Sequence, residues 1–153
     1  MSLFVPLKRA TLLIPSGPSG DVNRRHLFIL LTDPYPDETG KSSVLLVSIS
    51  TVRPNVPHDS TCILYPGDHD FVKRDSYVVY QKARLEEADT LLRGVKSGEL
   101  VAHVPMDGAV FARVCKGLEE SRLTPAKFLV FYRNATARGW ALTLHRGSFS
   151  RMA

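Results

Sequence analysis

Residues 60–92, STCILYPGDHDFVKRDSYVVYQKARLEEADTLL, decide the fold. A β-rich run over Thr61 to Tyr65 gives way to the polar connector Gly67 to Ser76, and an alternating run over Ser76 to Arg84 passes straight into a helical pattern. In that pattern Leu85, Ala88, Leu91, Leu92 and Val95 recur at helical intervals. Glu86, Glu87 and Asp89 suit the positive end of the helix dipole, and Gly98 is placed to stop the helix. Two strands joined by a short connector, the second feeding a helix, form a compact antiparallel unit.

Working outward, Ala10 to Ile14 reads as a short strand closed by Pro15 and the turn-forming loop SGPSGD. His26 to Thr32 is a strand apolar on both faces, stopped at Asp33-Pro34. Ser43 to Val52 is the next strand; Val47 and Ile49, with Thr51 after them, share one face, and Ser48 and Ser50 share the other. Past the first helix, a second starts near Asp107, with Val110, Phe111, Val114, Cys115 and Leu118 as its apolar face. Thr124-Pro125 predicts an N-cap followed by a first-turn proline, opening a third helix over Ala126 to Tyr132. Five or more closely spaced strands with helices only in the second half predict an α+β protein: a small antiparallel barrel followed by two or three helices. The expected domain covers residues 1–133. Residues 134–153 are expected to form a loosely docked or disordered basic tail, with Trp140 to Leu144 able to add a strand. Leu46, Ile49, Val78 and Leu91 are expected in the core.

With 153 residues, 44% hydrophobic and 23% charged, the chain fits one globular domain. No apolar run approaches the roughly 20 residues that span a bilayer, and the N-terminus lacks the basic-then-apolar order of a secretory signal. A cytoplasmic protein with no membrane partner is expected. Cys62 and Cys115 lie in apolar stretches without metal-ligand spacing, so reduced thiols are expected. The net charge of +5 resides in Lys8, Arg9, Arg138, Arg146 and Arg151, because residues 21–133 balance. Total charge therefore does not argue for nucleic acid, and particular residues must. No glycine-rich phosphate loop and no Ser-His-Asp order supports an NTPase or a triad hydrolase. Asp68, His69 and Asp70 are adjacent and point in different directions, so neither a metal nor another cofactor is expected.

An aromatic-basic-acidic-Ser turn leading into a strand that ends in Arg, with Phe71, Lys73, Arg74, Asp75, Ser76 and Arg84 in matching places, resembles the MazF/PemK (Kid) family of toxin endoribonucleases. The resemblance extends over roughly residues 10–122 and implies an SH3-like barrel. It implies the toxin of a toxin-antitoxin pair: a metal-independent endoribonuclease that cleaves single-stranded RNA. It further implies a homodimer with RNA across its interface and a cognate antitoxin protein covering the same groove. The family keeps an Arg directly before a strand and a Thr or Ser at the end of the next. Here those are Arg25, before HLFILL, and Ser50 and Thr51, in VSIST.

Cleavage by the 2′-OH needs a base, donors on the nonbridging phosphate oxygens and a proton for the leaving 5′ oxygen. Arg25 suits the phosphate clamp, since a guanidinium is always charged and forked. Ser50 or Thr51 suits a hydrogen-bond partner. Some family members carry a carboxylate two residues before the strand-ending Arg; the residues here are Lys82 or, one residue off, Gln81. His26 and His69 are the natural replacements, because imidazole titrates near neutrality. The expected catalytic set is Arg25, Ser50, Thr51, His69 and Asp75, and the expected RNA-binding set is Arg24, His26, Lys73, Arg74 and Arg84. Phe71, Tyr65, Tyr77 and Tyr80 lie where aromatics could stack bases. The rival expectation is a non-catalytic module of the same fold that binds RNA or protein.

Overall fold

The computed structural model describes residues 4–15 and 25–137. Within them lie β1 (Thr11–Pro15), β2 (Arg25–Leu30), β3 (Tyr35–Pro36), β4 (Ser42–Thr51), β5 (Ile63–Leu64), β6 (Ser76–Glu87), α1 (Ala88–Ser97), β7 (Val101–His103) and α2 (Gly108–Glu120). A third helix, α3, covers residues 126–137. The strands form one antiparallel sheet in the order β5-β6-β4-β2-β1-β7, with β3 paired to β4. The sheet is a curled half-barrel. Its hydrogen-bonded path ends at β5 and β7, and β6 lies inside the path between β5 and β4.

The apolar run in β2 and the mixed run in β4 are explained by cover on both sides. Leu27, Ile29, Leu45, Val47 and Ile49 face one core, which receives Val110, Val114 and Leu118 from α2 and Phe131 from α3. Phe28, Leu30, Val44 and Leu46 face the other, which receives Leu91 from α1. Full burial of one such side chain contributes about 1.5–3 kcal/mol, so the alternation fixes the register firmly. Leu46, Ile49, Val78 and Leu91 are all buried, as expected. Tyr80 is fully enclosed, and its hydroxyl donates to the Val114 carbonyl of α2 at 2.7 Å.

Several elements differ from the sequence reading: β2 ends at Leu30 rather than Thr32, β5 is only Ile63–Leu64, and β3 lies in a stretch read as a polar loop. Leu85, Glu86 and Glu87 extend β6, pairing with Leu45, Val44 and Ser43, so α1 begins three residues later than expected. Ladder pairing outweighs the helical preference of this short stretch. Gly98 does stop α1, with φ of 83° and its N–H on the Val95 carbonyl. β7 was not anticipated; it separates α1 from α2 and pairs with β1. Asp107 caps α2, its carboxylate accepting from the N–H groups of Ala109 and Val110. At the start of α3 the Thr124 hydroxyl donates back to the Leu118 carbonyl, while the Pro125 carbonyl accepts from the N–H groups of Phe128 and Leu129. α3 continues past Arg133, with Ala135 packed on the core. The candidate strand Trp140 to Leu144 and Arg24 lie outside the described residues.

No described helix is long and apolar enough to cross a membrane.

Candidate functional site

One half of the sheet face that carries Phe28 is covered by α1; the other half is open. There Phe28 pairs with Ser48, and continuing along both strands brings His26 and Ser50 to the same wall. On the far side of β4, Ser50 pairs with Tyr77 and Thr51 with Ser76. The resulting groove has two lobes that share His26 and Ser50.

The first lobe, about 740 Å³, sits at the strand ends. Arg25 opens β2, Thr51 closes β4, Arg53 follows it, and the connector between β5 and β6 contributes Phe71, Lys73, Arg74 and Ser76. Among the described residues, four permanent cations and three hydroxyls line this lobe and no carboxylate does. Lys73 and Arg74 are exposed. Their backbone is held: the Ser76 hydroxyl donates to the Arg74 carbonyl at 2.9 Å, and the Val52 N–H donates to the Asp75 carbonyl at 2.9 Å.

The second lobe, about 550 Å³, has Phe28, Ser48, Tyr77 and Val79 among its lining residues. Gln81, Lys82, Arg84, His58 and Asp59 also line it. The Arg84 guanidinium lies 4.6 Å from the Phe28 ring centroid, a cation–π contact. Its Nε is 3.1 Å from Glu86 Oε2 yet lacks hydrogen-bond alignment, leaving that buried N–H without an acceptor. His58 stacks at 5.2 Å on Tyr77. The Asp59 carboxylate accepts from the Thr61 N–H and hydroxyl and, at 2.6 Å, from the Ser121 hydroxyl, which fixes the His58 segment to the end of α2. Burial works against the Asp59 charge, and these donors outweigh it, so its pKa falls below the ordinary value.

The expected residues therefore divide. Arg25, Ser50, Thr51, His26, Lys73 and Arg74 meet in the first lobe, and Arg84 joins through the second. Asp75 is exposed and is not among the residues lining either lobe. His69 lies elsewhere: it is 5% exposed, its Nδ1 accepts from the Phe71 N–H at 3.0 Å, and its Nε2 is 2.7 Å from the Val104 carbonyl. Both ring nitrogens are engaged with backbone, which fits a structural tie and leaves no lone pair for substrate. Burial pushes its pKa below the ordinary imidazole value. Of the aromatics, Phe71 and Tyr77 line the groove, Tyr80 is a fully buried core residue beneath the second lobe, and Tyr65 is exposed.

Arg53 and His58 were not anticipated. Arg53 had a readable signal, a cation directly after a strand and before Pro54; His58 had none, because its place depends on the Asp59 to Ser121 contact.

No group of three or more His, Cys, Asp or Glu side chains suited to a metal occurs among the described residues. Cys62 and Cys115 are free thiols whose pKa is raised by burial. Neither a family model nor a curated protein matches the chain, so the functional reading stands on the groove itself.

Proposed function

We propose that the groove binds the sugar-phosphate backbone of single-stranded RNA and cleaves it without a metal, as the toxin of a toxin-antitoxin pair. The observation that carries this reading is the lobe where Arg25, Arg53, Lys73 and Arg74 converge with Ser50 and Thr51, with no carboxylate among its described lining residues. Clustered cations with hydroxyl donors suit a phosphodiester. Beside it the half-buried Tyr77 ring and the Arg84 guanidinium seated on Phe28 give unstacked bases a surface, which a rigid duplex would not reach.

In this reading Arg25 holds the nonbridging oxygens, Ser50 or Thr51 donates a hydrogen bond, and His26, at the junction of the lobes, transfers a proton. The 2′-oxygen loses its proton and bonds to phosphorus. The phosphorus–5′-oxygen bond then breaks, leaving a cyclic phosphate and a protonated 5′-hydroxyl. The antitoxin would place an acidic segment in the same lobe, and the active form is a homodimer.

The test is cleavage of a long single-stranded RNA with chelator present, comparing wild type with Arg25→Ala and Ser50→Ala. Removing a group that stabilises transition-state charge costs about a hundredfold or more, so Arg25→Ala should lose at least that while remaining folded. Full activity in this variant refutes the site assignment.

A second reading, a non-catalytic RNA-binding module, is favoured by one observation. Gln81 and Lys82 stand where a carboxylate base would be expected, and both are exposed at the rim of the second lobe. Tight RNA binding by wild type with no cleavage selects this reading.

A further inference from the structure

The basic wall of the first lobe is borne by the connector between β5 and β6. Besides the Asp68–Arg113 ion pair, buried Val72 and the bond from the Val52 N–H to the Asp75 carbonyl, one buried imidazole ties that connector to the fold. His69 Nδ1 accepts from the Phe71 N–H at 3.0 Å, so the ring's proton sits on Nε2 and is donated to the Val104 carbonyl at 2.7 Å. The same carbonyl accepts from the Thr11 hydroxyl at 2.6 Å, and that hydroxyl lies 3.3 Å from Nε2. A single imidazole thus joins the connector, β1 and the chain leaving β7. Immediately after it, Phe71, Lys73 and Arg74 line the lobe. The Phe71 ring rests edge-on against His103 at 6.0 Å, and His103 packs on His69 at 5.1 Å.

We propose that His69 is the positioning residue of the phosphate-binding lobe: its neutral ring sets the path of residues 71–74, and a second proton on that ring loosens them while the Nε2 donor to Val104 is kept. Protonated Nδ1 would face the Phe71 N–H donor to donor, so the bond that directs Phe71 and the basic residues after it is lost. The facing ionisable groups are His103, from β7, and Asp70, from the connector itself; Thr11, from β1, is neutral. His103 opposes a second positive charge, and exposed Asp70 offsets it only partly.

The sign follows from linkage. Burial lowers the docked ring's pKa below the ordinary 6.5, so the released state takes the proton more readily. Docking is complete above that ordinary value and is lost as pH falls through it toward the lowered one. Lysine and arginine keep their charge over this range, so a rigid lobe would keep its hold on RNA in acid, and a released one would bind more weakly.

This inference rests on the RNA reading for its binding readout but has a second readout independent of it. Binding of a labelled single-stranded oligouridylate is measured by anisotropy at about pH 7.5 and about pH 5, where linkage to one proton permits up to about a tenfold change per pH unit. The order of residues 71–74 is followed by heteronuclear NOE at both values. His69→Asn keeps an acceptor for the N–H two residues on and does not titrate. Wild type should lose about tenfold or more in affinity on acidification, with falling NOE values confined to the connector. His69→Asn should hold its binding and keep its NOE values. A wild-type connector that stays ordered at the lower pH, or wild-type binding that changes no more than the variant's, overturns the proposal. Connector release without RNA binding at neutral pH overturns the RNA reading alone and supports the fastening role of His69.

Discussion

If the lobe at the strand ends grips phosphates, its affinity has a salt dependence that can be worked from the residues lining it. Arg25, Arg53, Lys73 and Arg74 supply four permanent cations. One phosphate per cation gives a slope of log affinity against log salt of about −2.8 for a single strand, or about a fiftyfold loss between about 50 mM and about 200 mM salt. Arg74→Ala removes one contact from an exposed side chain, so the slope should ease to about −2.1. Arg93→Ala is the control: Arg93 lies on α1 and pairs with Asp89 at 2.9 Å, so it changes net charge equally without touching the groove. The assay is titration of a labelled single-stranded oligonucleotide over a salt series at neutral pH. Equal changes of slope in the two variants would mean that the whole molecule's charge, not the lobe, is being read, and the reasoning fails.

Two further predictions concern packing and assembly. Gly117 of α2 faces the Tyr80 hydroxyl, and a Cβ there would overlap that hydroxyl and come within 2.8 Å of Tyr80 Cζ. Because Tyr80 is fully enclosed and bonded to Val114, Gly117→Ala should destabilise by about 1–3 kcal/mol in denaturant unfolding; an unchanged midpoint means the ring has room to yield. The proposed dimer should sediment at micromolar concentration near twice the 17.0 kDa chain mass, and a monomer under those conditions counts against a groove shared across a twofold axis.

What was legible in the sequence was whatever one segment encodes alone. The two-faced run of β2, the alternation of β4, the cap at Asp107 and the stop at Gly98 are local patterns, and each is where it was read. β7 has only three residues, and its pairing with β1 comes from tertiary placement. The stretch from Leu85 to Glu87 reads as helix by composition, yet it pairs with Ser43 to Leu45. The site follows the same division. Arg25, Ser50 and Thr51 end adjacent strands and were brought together by the ladder. His69 read as a catalytic imidazole beside two aspartates because the sequence cannot show that Val104 and the Phe71 N–H occupy its nitrogens.

The least legible feature also shapes the groove. Between the pairs Leu46 with Arg84 and Ser48 with Val79, β4 advances two residues while β6 advances five. The three extra residues form an irregularity in β6, and an odd excess reverses which face later residues take. That reversal lets Tyr80 and Ala83, three apart, both enter the same core, whereas strict alternation would have sent Ala83 outward. It also leaves Gln81 and Lys82 exposed at the rim and turns Arg84 onto the face of Phe28. Without it, Arg84 would point into the core that α2 covers, where an unpaired guanidinium is prohibitively costly. The cation in the second lobe therefore depends on the bulge as much as on the arginine, and Lys82 takes its rim position from the same three residues.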